Sequence, residues 1–225
     1  MEITYLGHGC VEIKTARHSL LVDPFITPNP LAAHIDINQL QPDYILLTHG
    51  HEDHVADTEA IANKSHAKII ANFEIVSWYG NKGIEGHPMN HGGQWHFDFG
   101  TVKMVNAVHS SVLPDGTYGG NPAGFVLSTD EGTVYLAGDT ALHQDMKLIP
   151  EFFKLDLAVL PIGDNFTMGI AEAVKAAGFV GVSKVLGIHY DTFPYIEINK
   201  EEARQAFESS GIELLLPDIG SSITV

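Results

Sequence analysis

The segment Thr48–Val55, THGHEDHV, places His49, His51 and His54 with Glu52 and Asp53 inside six consecutive positions. Imidazole and carboxylate groups hold Zn²⁺, Mn²⁺ or Fe, and imidazole also changes protonation near neutral pH. In an extended chain, residues i and i+2 point the same way, so His49 and His51 can face one ion. Asp53 and His54 follow where the chain turns toward the next element, and there they can serve a neighbouring ion. The alternative is a polar loop that happens to be rich in histidine. The segment cannot close a metal site by itself, so the remaining ligands must come from other parts of the chain.

Elements able to supply them recur along the sequence. EITYL, CVEIK and SLLVD read as a strand meander, and DYILLT as a buried strand that runs into the histidine segment. VADTEAIANKS and FEIVSWYGNKG have helical spacing, with strand AKIIA between them. The second half repeats the texture. WHFDF, TVKMVNAV, FVLST and TVYLAGD read as strands, HQDMKLIPEFFK as a helix, and LDLAVLPI as a buried strand. GIAEAVKAAGFVG and NKEEARQAFESSG read as helices flanking strand KVLGIHY, and IELLL as the final strand. Meanders alternating with βα units predict two sheets packed face to face with helices outside, an α/β sandwich of four layers. No linker divides the chain, so residues 1–225 are expected to form a single domain.

Four of these strands finish on ligand-type residues: the histidine segment itself, His109, Asp139 and His189. Layered α/β folds place their sites beyond the carboxyl ends of strands. Polar loop starts account for one or two such endings; four in one chain fit a shared site better.

Composition narrows the function classes. The formal net charge is −16, from 28 acidic and 12 basic residues, so most of the surface repels nucleic-acid backbone and anionic membrane. No apolar run reaches the roughly 18–20 residues that span a bilayer. The start, MEITYLGHG, lacks the basic and apolar regions of a secretion signal. Cys10, the only cysteine, is compatible with a reducing cytoplasm. Thirteen histidines in 225 residues raise the expectation of a metal site.

Taken together, H-x-H-x-D-H at 49–54, His109, the GDT at 138–140 and His189 resemble the metallo-β-lactamase-fold hydrolases. More narrowly, LGH, LVDPF, LTHGHEDH, NHGG, GGNPAGF, GDTAL, PIGDNFTMG and HYDTFP resemble a group of small metal-dependent hydrolases related to ascorbate-6-phosphate lactonase, over nearly the whole chain. The resemblance implies a centre of two divalent ions, with Zn or Mn ahead of Fe. His49, His51 and His109 would bind the first ion, Asp53, His54 and His189 the second, and Asp139 would bridge them. It implies that a hydroxide held between the ions attacks an ester, lactone or phosphoester of a small, anionic or oxygen-rich molecule, with Asp53 also orienting the nucleophile. A phosphodiesterase for small nucleotides and a non-hydrolytic metal binder are the alternatives. A cytoplasmic location is expected, with no nucleic-acid or membrane partner and homo-oligomerisation left open.

Further candidates surround the ligands. His8, in LGHGC, is a ligand, a residue that orients one, or a loop histidine. Asp23 accepts a proton from a ligand histidine or simply forms the turn before Pro24. His143, Asn165 and Asp191 lie on loops beside motif strands and could touch substrate or support ligands. Glu52 reads as an outward-facing spacer.

Overall fold

A computed structural model describes all residues, 1–225. One sheet joins β1 (Glu2–Gly7), β2 (Cys10–Lys14), β3 (Ser19–Val22), β4 (Tyr44–Leu46), β5 (Lys68–Asn72) and β6 (Gly86–Met89). The other joins β7 (Gln94–Phe97), β8 (Gly100–Asn106), β9 (Ala123–Thr129), β10 (Gly132–Leu136), β11 (Leu157–Pro161), β12 (Lys184–Ile188) and β13 (Glu213–Leu215). The last strand, β14 (Ser222–Thr224), returns to the first sheet, antiparallel to β1. Strand orders are β14-β1-β2-β3-β4-β5-β6 and β13-β12-β11-β10-β9-β8-β7.

The period-2 geometry of strands explains the layering. Leu20 and Val22 of β3 enter the core between the sheets, while Leu21 between them faces outward. Leu46 and Ile70 do the same beside outward Ile45 and Ile69, and Val159 and Leu186 repeat it beside Leu160 and Val185. Both faces are apolar because both are covered, which is why the parallel strands read as unbroken hydrophobic runs. On the outside of the first sheet lie α1 (Glu52–Val55), α2 (Thr58–Ser65) and α3 (Phe73–Gly80). On the outside of the second lie α4 (Ile149–Phe152), α5 (Ile170–Val180) and α6 (Lys200–Glu208). The result is the four-layer αββα sandwich that the alternation of elements implies.

Three local readings are corrected. Gln144–Phe152 is not one helix but a 3-10 turn, Gln144–Leu148, followed by the single turn α4, because Pro150 is tolerated only in the first turn of a new helix. Strand β6 escaped notice because Gly86 and Pro88 weaken its signal; as an edge strand it tolerates a proline. IELLL is not the final strand, since β14 pairs with β1 across the ends of the chain. No helix is long and apolar enough to cross a membrane.

Candidate metal centre

The segments just beyond β4, β8, β10 and β12 converge at one end of the sandwich. His49, His54, Asp139 and His189 are buried there, while His51, Asp53 and His109 are partly exposed and mark the open side. Ligand-type atoms of His49, His51 and His109 lie within 4.8 Å of one another, as do those of Asp53, His54, His189 and His8. Asp139 stands between the two groups. Its Oδ2 is 3.9 Å from His49 Nε2 and 3.5 Å from His109 Nε2, and on the other side 3.3 Å from His54 Nε2 and 3.0 Å from His189 Nε2.

The backbone is shaped for this. Gly138 has φ +62°, and a Cβ there would sit 2.7 Å from Thr48 Cβ, so the residue before Asp139 must be glycine. His189 also adopts a left-handed conformation, φ +57°, with its amide donating to His8 O at 2.9 Å. Gly163 packs against the His189 carbonyl oxygen, leaving no room for a side chain.

Hydrogen bonds fix which ring nitrogens face the centre. The Thr48 hydroxyl donates to Asp23 Oδ2 at 2.6 Å, so it can only accept from His49 Nδ1–H, 3.0 Å away. The Nε2 lone pair of His49 then points inward. Asp23 Oδ2 also accepts from His54 Nδ1–H at 2.9 Å, which turns His54 Nε2 inward in the same way. Asp23 Oδ1 accepts from the Thr48 amide at 2.8 Å. One buried carboxylate therefore orients a histidine from each group, directly and through Thr48. His51 directs Nε2 to Ser110 Oγ at 3.2 Å and Nδ1 toward His49 Nε2 at 3.0 Å. His8 donates Nε2–H to Asp53 Oδ2 at 3.1 Å and accepts at Nδ1 from the Thr192 hydroxyl at 2.9 Å. This arrangement spends the His8 Nε2 proton on Asp53, so His8 positions that carboxylate.

The electrostatics suit a cation. Burial, then the charge of His54, push His49 well below the ordinary histidine value; burial also lowers His51 and His109. Burial and the charge of His189 lower His8 to about 4. His54 goes the other way. Burial opposes its charge, but Asp139 and Asp23 outweigh burial and hold it well above the ordinary value. Burial likewise disfavours ionised Asp139, yet His189 and His54 keep it well below the usual carboxylate range. Asp53 is depressed too: burial raises it, and the His8 hydrogen bond and His54 more than offset that. Meanwhile His54 Nε2, Asp139 Oδ1 and both ring nitrogens of His189 are buried without a hydrogen-bond partner. Orphaned polar atoms converging on a carboxylate are costly unless something positive lies among them. The all-N/O donor set fits a divalent ion; Cys10 is buried on the outer side of the first sheet, in another cluster.

The family model described as a β-lactamase superfamily domain matches residues 18–190. This chain belongs to the metallo-β-lactamase superfamily. Within it the chain is a metal-dependent hydrolase. A UPF0173 metal-dependent hydrolase of Flavobacterium johnsoniae is 57% identical over 223 residues, 99% of each chain. One from Bacillus subtilis is 47% identical over 206 residues, 89% of this chain and 90% of its own. A metallo hydrolase from the hyperthermophilic archaeon Ignicoccus hospitalis superposes with TM-score 0.91 at 32% identity, covering 100% of this chain and 97% of that one. An isothiocyanate hydrolase from Delia radicum gut bacteria, at 20% identity and TM-score 0.81, covers 100% of this chain and 99% of its own and shares the fold.

The remaining sequence candidates in this hydrolase fall in different places. Glu52 is exposed and points away, as expected of a spacer. His143 lines a separate, mostly apolar cavity of about 390 Å³ with Met104, Met146 and Phe152, none of them a ligand candidate. Asn165 is exposed, in a left-handed turn, φ +55°. Asp191 supports its own loop: Oδ1 accepts from the Ile198 amide at 3.1 Å and Oδ2 pairs with Lys200 Nζ at 3.2 Å. It also borders a cavity of about 570 Å³ behind His8. The residues that sequence reasoning passed over are Thr48 and Ser110, whose hydroxyls touch His49 and His51; Thr192, read from the sequence as pocket wall, bonds His8. Ser111 joins them, accepting from the Gly50 amide at 3.0 Å between His49 and His51.

Proposed function

We propose that the hydrolase holds two divalent ions, Zn²⁺ or Mn²⁺ ahead of Fe, and cleaves an ester, lactone or phosphoester of a small molecule. His49, His51 and His109 would hold one ion, Asp53, His54 and His189 the other, and Asp139 both. The observation that carries the reading is the position of Asp139 Oδ2, within 3.9 Å of ring nitrogens from both groups. When bound, such a pair supplies an activated water and a polarised substrate oxygen.

The chain's own groups define what surrounds that water. Asp53 keeps Oδ2 engaged by His8, so Oδ1 remains to accept a hydrogen bond from the attacking water. Its depressed pKa makes it a poor store for a proton; it orients the nucleophile as an acceptor. His8, held neutral at pH 7 and locked by Thr192, keeps that carboxylate aimed. The 225 residues act as one catalytic unit in this proposal, in the cytoplasm, where an unpaired Cys10 is compatible with reducing conditions.

The test is turnover by Zn²⁺- and Mn²⁺-loaded protein of a panel of lactones, phosphodiesters and thioesters. The expected result is hydrolysis of at least one class, lost on chelation and restored by metal. Turnover that survives complete metal removal would overturn the reading.

A further inference from the structure

We propose that the substrate part lying away from the scissile bond is apolar or aromatic, and that Phe166 and Tyr195 form the surface that receives it. This rests on the hydrolase reading above and adds the chemical class of the substrate.

The first observation is where the bases are not. None of the 12 Lys and Arg residues falls in segments 23–34, 48–57, 107–121, 138–143, 162–169 or 189–196, which build the metal-centre end of the molecule. The same segments carry Glu52, Asp57, Asp115, Asp164 and Asp191 besides the carboxylates of the centre. Lys200, four residues past the last of these segments, is paired with Asp191 at 3.2 Å. Recognition of a second phosphate or carboxylate on the substrate needs guanidinium or ammonium groups. This rim offers none, so a phosphorylated sugar would meet repulsion on every side except at the ions.

The second observation is what the rim does offer. Phe166 and Tyr195 are 49% and 75% exposed, although large apolar side chains are costly to leave in water. They meet edge to face, ring centroids 6.2 Å apart. They stand on the loops that follow β11 and β12, beside His189, and both loops are firmly tied. The Met168 amide donates to Thr140 O at 3.1 Å, next to Asp139. Ile196 Cβ lies against Gly163, and the Asp191 amide donates to Ile196 O at 2.9 Å. On the loop that carries His109, Val108 and Val112 are 48% and 44% exposed. Val108 is linked to the same Thr140, its amide donating to the hydroxyl at 2.9 Å. Exposed aromatic groups on rigid supports bind planar or apolar groups at little entropic cost.

The test uses three hydroxamates that share the metal-seeking head and differ in tail: methyl, phenylethyl and phosphonoethyl. Each is titrated by calorimetry into Zn²⁺-loaded wild type and into F166A/Y195A, with metal content and circular dichroism as controls. In wild type the phenylethyl compound should bind about tenfold tighter than the methyl one, and the phosphonate no tighter than methyl. In the double variant the phenylethyl advantage should vanish while methyl affinity stays. Should the double variant misfold, Y195A alone must lose part of the advantage. A phenylethyl advantage that survives, or a phosphonate that binds tighter than methyl, overturns the inference. The methyl compound reports separately on the ions: if it fails to bind, the metal-centre reading falls instead, and this inference with it.

Discussion

Replacing Asp23 by Asn tests the orienting network with almost no change of volume. In the native protein Asp23 Oδ2 accepts from both the Thr48 hydroxyl and His54 Nδ1–H. An amide nitrogen at that position can only donate. Thr48 Oγ must then turn to accept, freeing its own hydrogen to donate to His49 Nδ1, and His54 Nδ1 must become an acceptor. His49 switches tautomer and its Nε2 acquires a proton aimed into the centre, while His54 gives up its Nδ1 proton and keeps the one on Nε2, which also aims into the centre. Loss of an orienting partner costs about 10–100-fold in metal affinity per histidine, roughly 1.4–2.7 kcal/mol each. Since one histidine of each group is affected, both ions should weaken. The asparagine keeps the Thr48 amide bond through Oδ1, so metal-free stability should fall by only about 1–3 kcal/mol. Chelator competition gives the affinities, urea denaturation the stability, and nitrogen-15 NMR of the imidazoles the tautomers. Affinity within about threefold of wild type, with His49 Nε2 still unprotonated, would refute the reasoning.

Other outcomes follow from the same geometry. His109→Ala should lower metal content and hydrolysis more than the about 100-fold upper cost of losing an orienting partner; unchanged metal content would show that the ligand lies elsewhere. Gly163→Ala should destabilise the fold by about 1–3 kcal/mol and weaken metal binding, because its Cβ would overlap the His189 carbonyl oxygen; a chemical melt and metal assay that match wild type would contradict this. Metal uptake should also be pH-dependent in an unequal way. Burial keeps His49, His51 and His109 neutral at pH 7, so filling their group releases no histidine proton. His54 is held protonated by Asp139 and Asp23 against the effect of burial, so filling its group releases one. Below the raised His54 value, affinity at that group should climb about tenfold per pH unit as pH rises. Calorimetry in buffers of different ionisation enthalpy measures the protons; none released at either step would contradict the assignment.

The cluster of candidate ligands was legible because its chemistry is local: three imidazoles and a carboxylate in six residues, then single His or Asp residues just past apolar strands. The layers were legible because inward and outward residues alternate in runs such as Leu20-Leu21-Val22. The supporting hydroxyls were not, since Thr48 beside His49 looks like any strand-end threonine until Asp23 arrives from 25 residues away. His8 and Asp23 each carried more than one reading, and only distances such as 3.1 Å from His8 to Asp53 and 2.9 Å from Asp23 to His54 bear on the choice. His143 and Asp191 were placed near the site by sequence proximity to Asp139 and His189. A turn of the chain sends His143 into another cavity, and the Lys200 and Ile198 contacts spend Asp191 on its loop. Strand β14 carries no periodic signal in three residues, because its partner β1 rather than its own pattern makes it a strand.

The central claim is that two groups of ligands share Asp139, and the number of tightly held ions per chain measures it most directly. Chelator-stripped protein reconstituted with Zn²⁺ or Mn²⁺, freed of excess metal and assayed by elemental analysis should retain about two ions per chain. A chain that retains none under any loading condition, or that saturates at one, would contradict the account.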